Sequence, residues 1–254
     1  SNVGWHSAFQ WFGIIGIIYA MLLSFLLHEK TNEISNENHP NTIVRVPFLK
    51  GLSTLFSMTA FWVILFYFAA PSLPGWATKN WLPTLFADSL QIPMEQAGPL
   101  STITIAASSF VGVILGGMVS DRWVLKNVRG RVYTSAIGLA LTIPSLVLLG
   151  MGETFLAVVG AAVLFGIGFG IFDANNMPIL CQFVPSRLRA TAYGFMNMVG
   201  VFAGAAITQI LGKFKDDGHF GDGFATLALV VLVALLLQLI TLRPKVIDFA
   251  DQQK

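Results

Sequence analysis

Long apolar stretches separated by short polar connections dominate the hydrophobic pattern of this chain. Seven of them predict helices that cross a membrane, since a spanning helix needs about 20 apolar residues. The apolar residues are continuous rather than alternating, which favours helices over the strands of a closed barrel. The pattern predicts an all-α polytopic membrane protein. The predicted spans are residues 5–28, 53–70 with an extension to about 87, 97–119, 132–150, 154–183, 192–212 and 221–242.

Composition supports the same fold class. Charged residues make up 11% of the chain and hydrophobic ones 55%, and the mean hydropathy is +0.71. Soluble proteins carry about 25% charged residues, so the surface of this protein must face a lipid bilayer. The single cysteine, Cys181, excludes an intrachain disulfide framework. No basic, aromatic-interleaved patch of the kind that binds nucleic acid is present.

The distribution of basic residues predicts an orientation. Cytoplasmic loops collect Lys and Arg, and alternate connections of this chain differ strongly in their content of these residues. One side carries twelve bases: Lys30, Arg45, Lys50, Arg122, Lys126, Arg129, Arg131, Arg187, Arg189, Arg243, Lys245 and Lys254. The other side carries three: Lys79, Lys213 and Lys215. We therefore expect the C-terminus in the cytoplasm and the N-terminus outside.

Two features predict how the chain is organised. Residues 29–47 include its longest polar stretch, which indicates a flexible linker. The chain opens with Ser1 and lacks a charged region before the first span, which favours a truncated start over a signal peptide. In the second span, Pro71 and Pro74 predict either a helix end with interfacial tryptophans or a kinked helix that reaches the mouth of a cavity.

The turn that follows the third span is short and basic. Its pattern is Gly-x-x-x-Asp-Arg, a spacer, and Arg-Gly-Arg, formed by Gly117, Asp121, Arg122, Arg129, Gly130 and Arg131. This pattern resembles the motif that transporters of the major facilitator superfamily (MFS) carry between their second and third helices, and in weaker form between the eighth and ninth. The spacer is several residues longer than in the usual motif.

A second pattern is similar to the tenth helix, cytoplasmic turn and eleventh helix of the same superfamily. It consists of Gly166, Gly168, Gly170, Pro178, Pro185, Arg189, Ala192 and Gly194. The resemblance implies that residues 1–28 are the last helix of an N-terminal bundle, 29–47 the central cytoplasmic loop, 48–246 a C-terminal bundle of six of the seven helices, and 247–254 a cytoplasmic tail. It also implies a partner that is absent from this chain, the N-terminal helical bundle.

The resemblance gives a gating role to the basic turn, including Arg129 and Arg131, and to Arg189 of the second pattern. Asp121 and Arg122 would lock the two bundles together in one state and release them in the other. Gly117 would permit close helix packing, and Gly130 would serve the turn. Lys126 and Arg129 are also explained as basic residues of a cytoplasmic loop that only set the orientation of the chain in the membrane.

Polar side chains within the fifth and sixth spans are candidates for binding a substrate or a coupling ion. Asp173 is the only acid well inside a span, where an ionisable group usually marks a solute pathway. At about 100° per residue, Asn176 lies about 60° from Asp173, whereas Asn175 and Gln182 share another face. A role for Asp173 and Asn176 in polar contacts between packed helices is as good an explanation as a role in binding a substrate or ion. Asn197 is the candidate on the sixth span.

Aromatic residues of the second span, including Trp62 and Tyr67, are either sugar-stacking residues or simple lipid and interface contacts. The four histidines show no paired spacing, so neither a metal site nor another cofactor is expected.

The resemblance implies a secondary transporter that moves a small polar solute by alternating access, coupled to H+ or Na+. The run from Asp173 to Pro178 is similar to bacterial porters of sugars, sugar acids and organic anions, which implies a location in a bacterial inner (plasma) membrane. A seven-helix receptor remains the alternative, because Asp121-Arg122-Trp123 closes the third span. An intramembrane enzyme has no paired catalytic groups to support it. The solute, the coupling ion, the direction of transport and the oligomeric state are not encoded in these patterns.

Overall fold

A computed structural model of the protein describes residues 5–26, 47–152 and 154–248. Contacts divide the chain into two compact units, Ser1–Arg45 and Val46–Lys254. The described part of the first unit is one helix, α1 (Trp5–Leu26), and most of its apolar side chains from Phe9 onward are exposed. The predicted central loop lies outside the described residues apart from Pro47.

The described residues of the second unit form helices joined by short turns. They are α2 (Phe48–Ser57), α3 (Thr59–Leu90), α4 (Met94–Val124), α5 (Gly130–Met151), α6 (Phe155–Asp173), α7 (Asn176–Phe183), a 3-10 turn (Ser186–Leu188), α8 (Arg189–Asp216) and α9 (Phe220–Thr241). Within the part of the chain that the structure describes, seven helical segments are long and apolar enough to span a membrane, six of them in this unit. The predicted all-α polytopic fold is confirmed.

Helix α3 continues through Pro71, Pro74 and Pro83 without a break, so the helix end expected near the first two prolines is wrong. Pro71 and Pro74 are buried against other helices. The carbonyls that they leave unpaired therefore face protein rather than lipid, which makes an internal proline tolerable in a membrane. The charge count had placed Lys79 in an external connection, and the structure places it within the continuous helix α3.

Helix α6 packs closely against α4 and α5 because glycines line both contacts. A Cβ at Gly112 of α4 would lie 2.3 Å from the carbonyl oxygen of Ile167, and one at Gly170 would lie 2.4 Å from that of Ser109. On the other side, a Cβ at Gly138 of α5 would lie 2.5 Å from the carbonyl oxygen of Gly168. Small residues allow the backbones to approach, as they commonly do between membrane helices.

The fifth predicted span is two helices, because α6 ends at Asp173 and α7 begins at Asn176. The Asn175 amide side chain donates to the carbonyl of Ile171 (2.8 Å), which offers the backbone an alternative to the helical ladder. Pro178 has no N–H to continue that ladder and lies in the first turn of α7, where it is tolerated.

Candidate solute site of the helical bundle

Two adjoining cavities lie among the helices of the second unit. The first, about 280 Å³, lies between α3, α4 and α6, and the second, about 220 Å³, lies between α3, α6 and α8. Both are lined by Lys79, Phe169 and Asp173. These three residues join the two cavities into one candidate site.

Lys79 places a positive charge in this apolar bundle. Its Nζ lies 5.4 Å from the centre of the Trp76 ring and 5.9 Å from that of Phe169, so two aromatic faces hold the ammonium group. Among the cavity-lining residues that the structure describes, Lys79 is the only base. Its position between Trp76 and Trp81 in the extended second span was the sequence signal that charge counting overlooked.

Asp173 is the only acid among the same described lining residues. Asn176 donates a hydrogen bond from Nδ2 to Asp173 Oδ1 (3.0 Å), which orients the carboxylate, and the Asp173 side chain remains exposed to the cavities. Asn175 and Asn176 are buried, and the Oδ1 atom of each lacks a hydrogen-bond partner among the described residues. The structure thus brings Asp173 and Asn176 together but turns Asn175 back onto its own helix.

Helix α8 adds polar groups to the second cavity. Asn197 and Tyr193 both line it, and Asn197 Nδ2 donates to the Tyr193 carbonyl (2.9 Å), which leaves the amide oxygen available to a solute. Across the cavity, Ser72 donates its hydroxyl hydrogen to the carbonyl of Phe68. In the first cavity, the buried hydroxyl of Thr78 has no partner among the described residues. The site therefore contains one positive charge (Lys79), one negative charge (Asp173) and several neutral hydrogen-bonding groups.

Trp62 and Tyr67 lie outside this site. Both line a separate apolar pocket of about 310 Å³ beside α9. The Tyr67 hydroxyl is buried and bonds the Ser135 hydroxyl at 2.7 Å, and the Trp62 indole N–H donates to the carbonyl of Phe56 at 2.9 Å. Their polar groups are thus engaged in contacts within the bundle.

Gln182 also lies outside the two cavities, since its buried amide joins the basic turn to the end of the chain. Its Nε2 donates to the carbonyls of Val128 (3.0 Å) and Val246 (3.1 Å). Arg131 makes a similar link, donating to the carbonyls of Pro178 and Ile247. These bonds fasten residues 242–248, which we call the C-terminal strap, to the bundle.

Arg189 completes this cluster. It forms an ion pair with Asp248 of the strap and donates to the carbonyls of Val184 (3.2 Å) and Cys181 (3.1 Å). The last carbonyls of α7 are thereby satisfied. Arg189, from the second sequence pattern, and Arg131, from the basic turn, therefore lie at the same end of the bundle.

The basic turn itself is tightly built. A Cβ at Gly130 would lie 2.6 Å from the backbone of Trp123 and Val124, so only glycine fits at this position. Arg129 is half-buried, lies over the Tyr133 ring and donates to the carbonyl of Leu239. Charge counting had predicted only a surface residue that sets the orientation, whereas Arg129 also makes contacts within the bundle.

Asp121, Arg122 and Gly117 have no such contacts within the unit. The two charged side chains are exposed, and neither forms an ion pair or hydrogen bond with the residues that the structure describes. A Cβ at Gly117 would meet no atom within 4 Å, whereas one at Gly116 would lie 2.8 Å from the Cα of Ile171. Close packing inside the bundle therefore depends on Gly116 rather than Gly117, the residue named from the motif.

The family model of the Major Facilitator Superfamily matches residues 1–208 of this chain. The chain belongs to the Major Facilitator Superfamily. MFS membership favours a carrier over the seven-helix receptor and the intramembrane enzyme, and it agrees with the seven apolar helices of an integral membrane protein.

Curated relatives within the MFS have names that point to organic anions. The chain is 22% identical over 260 residues to a cis,cis-muconate transport protein of Acinetobacter baylyi, covering 96% of this chain and 58% of the relative. It is 26% identical to a hexuronate transporter of Bacillus subtilis (94% and 58% covered) and 24% identical to a citrate-proton symporter of Klebsiella pneumoniae (87% and 49% covered). The chain thus spans about half the length of these MFS proteins.

Proposed function

We propose that this chain is part of a secondary carrier that moves a small organic anion, such as a sugar acid or a dicarboxylate, by alternating access. One observation carries the proposal: Lys79 and Asp173 line the same two adjoining cavities within an otherwise apolar bundle. Carrier sites of this kind lie near the middle of the membrane between two helical repeats.

The exposure of these two charges supports a second bundle that covers the cavities. A charged side chain at the centre of a bilayer costs at least about 2.5–3.5 kcal/mol, so charged groups face a protein or a water-filled cavity rather than lipid. Helices α4 and α8, which flank the cavities, are the least buried of the six spans in this unit, with 17% and 28% of their most apolar stretch buried. In the proposal, the N-terminal helical bundle packs on α4 and α8 and encloses the solute.

Lys79 supports the choice of an anion. A carboxylate that approaches the ammonium group forms a charge-assisted hydrogen bond in a site with few competing water molecules. Asn197, Tyr193 and Thr78 then offer hydrogen bonds to the hydroxyl groups of a sugar acid. The names of the muconate, hexuronate and citrate relatives point to the same chemical class.

Asp173 is the proposed site of the coupling cation, H+ or Na+. It lies beside the proposed anion site, so the charge it carries changes the electrostatic energy of the bound substrate. Binding a proton or Na+ at this carboxylate removes its repulsion of the substrate, which links cation binding to substrate binding. The name of the citrate-proton symporter relative supports H+ as the cation.

The exposed Asp121 and Arg122 are proposed to contact the second bundle in one state of the transport cycle and to release it in the other. The clustering of Arg129, Arg131 and Arg189 at the same end of the bundle supports a cytoplasmic position for that end. The proposed location is the bacterial inner membrane, with the C-terminus inside and the start of this chain outside.

Counterflow in proteoliposomes that contain the intact carrier tests the proposal. We expect saturable exchange of at least one sugar acid or dicarboxylate, and no exchange of an uncharged hexose. Asp173→Asn should abolish uptake driven by a proton or sodium gradient but retain counterflow, because exchange needs no net cation movement. The matched control is Asp216→Asn, an exposed acid outside both cavities.

Exchange of the hexose alone would contradict the anion assignment. Gradient-driven uptake that is unchanged in Asp173→Asn would contradict the coupling role. The 254-residue chain by itself should show no saturable counterflow, because half of the proposed site is supplied by the second bundle.

A further inference from the structure

An open apolar groove of about 480 Å³ runs between α5 and α9 on the surface of the second unit. None of its lining residues belongs to the cavities of Lys79 and Asp173. The side chains that line it include Trp123, Tyr133, Ile137, Ala140, Leu235 and Leu239. Such an apolar groove on a membrane protein faces lipid chains.

One end of the groove meets the basic turn at Arg129. The guanidinium carbon of Arg129 lies 5.0 Å from the centre of the Tyr133 ring, and one of its terminal nitrogens donates to the carbonyl of Leu239. Both Tyr133 and Leu239 line the groove. The Nε–H of Arg129 is buried and lacks a hydrogen-bond partner among the described residues. The guanidinium group of Arg129, at this end of the groove, is therefore only partly engaged by its protein neighbours.

The surroundings of Arg129 are positively charged. The segment 121–131 carries four bases against one acid, Asp121. Arg122 and Lys126 are exposed, and so is Arg243, which follows the end of α9. This charge is complementary to a phosphate group, and basic sites of this type beside membrane helices bind anionic headgroups.

The length of the groove fits one acyl chain. Tyr133 and Ala140 are seven residues apart on α5, which corresponds to about 10 Å along the helix axis. One leaflet of a hydrocarbon core about 30 Å thick extends about 15 Å. The groove thus runs from the interfacial Arg129 into the chain region of a single leaflet.

We propose that this groove is a binding site for an anionic phospholipid. Arg129, supported by Lys126, contacts the phosphate group, and one acyl chain lies along Trp123, Ile137 and Leu235. The proposal does not depend on the identity of the transported solute.

Quenching of Trp123 by brominated lipids tests this site. The protein is placed in phosphatidylcholine nanodiscs that contain an equal small fraction of either brominated phosphatidylglycerol or brominated phosphatidylcholine. The signal of Trp123 is obtained as the difference between wild type and Trp123→Phe. We expect phosphatidylglycerol to be preferred by about fivefold for each base that contacts it, since each such base contributes about 1 kcal/mol near an anionic surface.

Variants distinguish the contribution of the lipid headgroup to binding from that of the acyl chain. Arg129→Gln and Lys126→Gln should each lower the preference by about fivefold, whereas Arg129→Lys, which keeps the charge, should retain most of it. Ala140→Phe should reduce quenching by both brominated lipids, because the ring fills the groove. Lys213→Gln, which removes an exposed lysine from the last turn of α8, is the matched control and should change nothing.

Equal quenching of Trp123 by the two lipids would overturn the proposal, as would a preference that survives both glutamine variants. Loss of the phosphatidylglycerol preference in inorganic phosphate, but not in sodium chloride of equal ionic strength, would also contradict it, since the site would then accept a free anion. Circular dichroism of every variant checks that the helical bundle is retained, and Lys126→Gln provides the result if Arg129→Gln fails to fold.

Discussion

Replacing Gly112 by alanine tests the close contact between α4 and α6. The new Cβ would lie 2.3 Å from the carbonyl oxygen of Ile167 and 2.9 Å from its carbonyl carbon and Cα. These are backbone atoms, which cannot rotate away as a flexible side chain does. Gly117→Ala is the matched control, because Gly117 lies in the same helix five residues later and a Cβ there meets no atom within 4 Å.

The size of the effect follows from these distances. Ordinary contact begins near 3.4 Å, so the helices must separate by roughly 1 Å at Gly112, a gap that forfeits about a quarter to a half of each local dispersion contact. Overpacking of this kind costs about 1–3 kcal/mol. Gly117→Ala lacks this cost and gains up to about 1 kcal/mol from the higher helix propensity of alanine.

Unfolding in mixed micelles of dodecyl maltoside and sodium dodecyl sulphate, followed by circular dichroism, measures both free energies of unfolding. We expect the two variants to shift in opposite directions from wild type. Gly116→Ala should fall between them, since its Cβ would lie 2.8 Å from the Cα of Ile171 and thus overlaps less.

Equal shifts for Gly112→Ala and Gly117→Ala would refute this account of the α4–α6 interface. Stabilisation by Gly112→Ala would refute it as well, because the helices would then have room for the methyl group. A reversed order, with Gly117→Ala the most destabilising, would return the packing role to the glycine named from the motif.

Three other contacts give separate predictions. Tyr67→Phe and Ser135→Ala should each cost about 1–2 kcal/mol, and the double variant should cost about 1 kcal/mol less than their sum, because both remove the same buried hydrogen bond; the micelle titration measures this, and full additivity would contradict it. Gln182→Leu should cost about 1–3 kcal/mol and speed hydrogen exchange in the C-terminal strap, since two partly buried carbonyls lose their donor; unchanged exchange would show that the strap is held by other contacts. Asp248→Asn should lower stability by about 0.2–1 kcal/mol at low salt and by less at high salt, because its ion pair with Arg189 is partly exposed; a salt-independent loss would contradict an ionic origin.

The sequence pattern predicts the spans well because lipid imposes a strong rule: each spanning segment must be long, apolar and helical. It predicts less about what interrupts a span. A helix end at the prolines of α3 was one of two alternatives, and it is wrong because Pro71 and Pro74 are buried and the helix continues past them. The break between α6 and α7 was not located from the sequence, where Pro178 indicated only a bend, because it depends on the Asn175 side chain bonding the carbonyl of Ile171.

The candidate site was only partly predictable, because helical periodicity assigns faces without saying what each face meets. Asp173 was found from its charge within an apolar span. Lys79 was assigned to a loop, since its place in the cavities depends on the unbroken course of α3. Gln182 has the same polarity as the other candidates, but its hydrogen bonds to two backbone carbonyls keep it outside the cavities.

The most direct test of the central claim is calorimetric binding of a transported acid and its neutral amide to the intact carrier and to its Lys79→Gln variant. The proposed charge-assisted contact contributes about 1.5–3 kcal/mol, so Lys79→Gln should weaken binding of the acid by about 10- to 150-fold. The variant should bind the amide as wild type does, and Lys213→Gln should leave both affinities unchanged. Undiminished binding of the acid to Lys79→Gln would contradict the claim that this lysine receives the substrate.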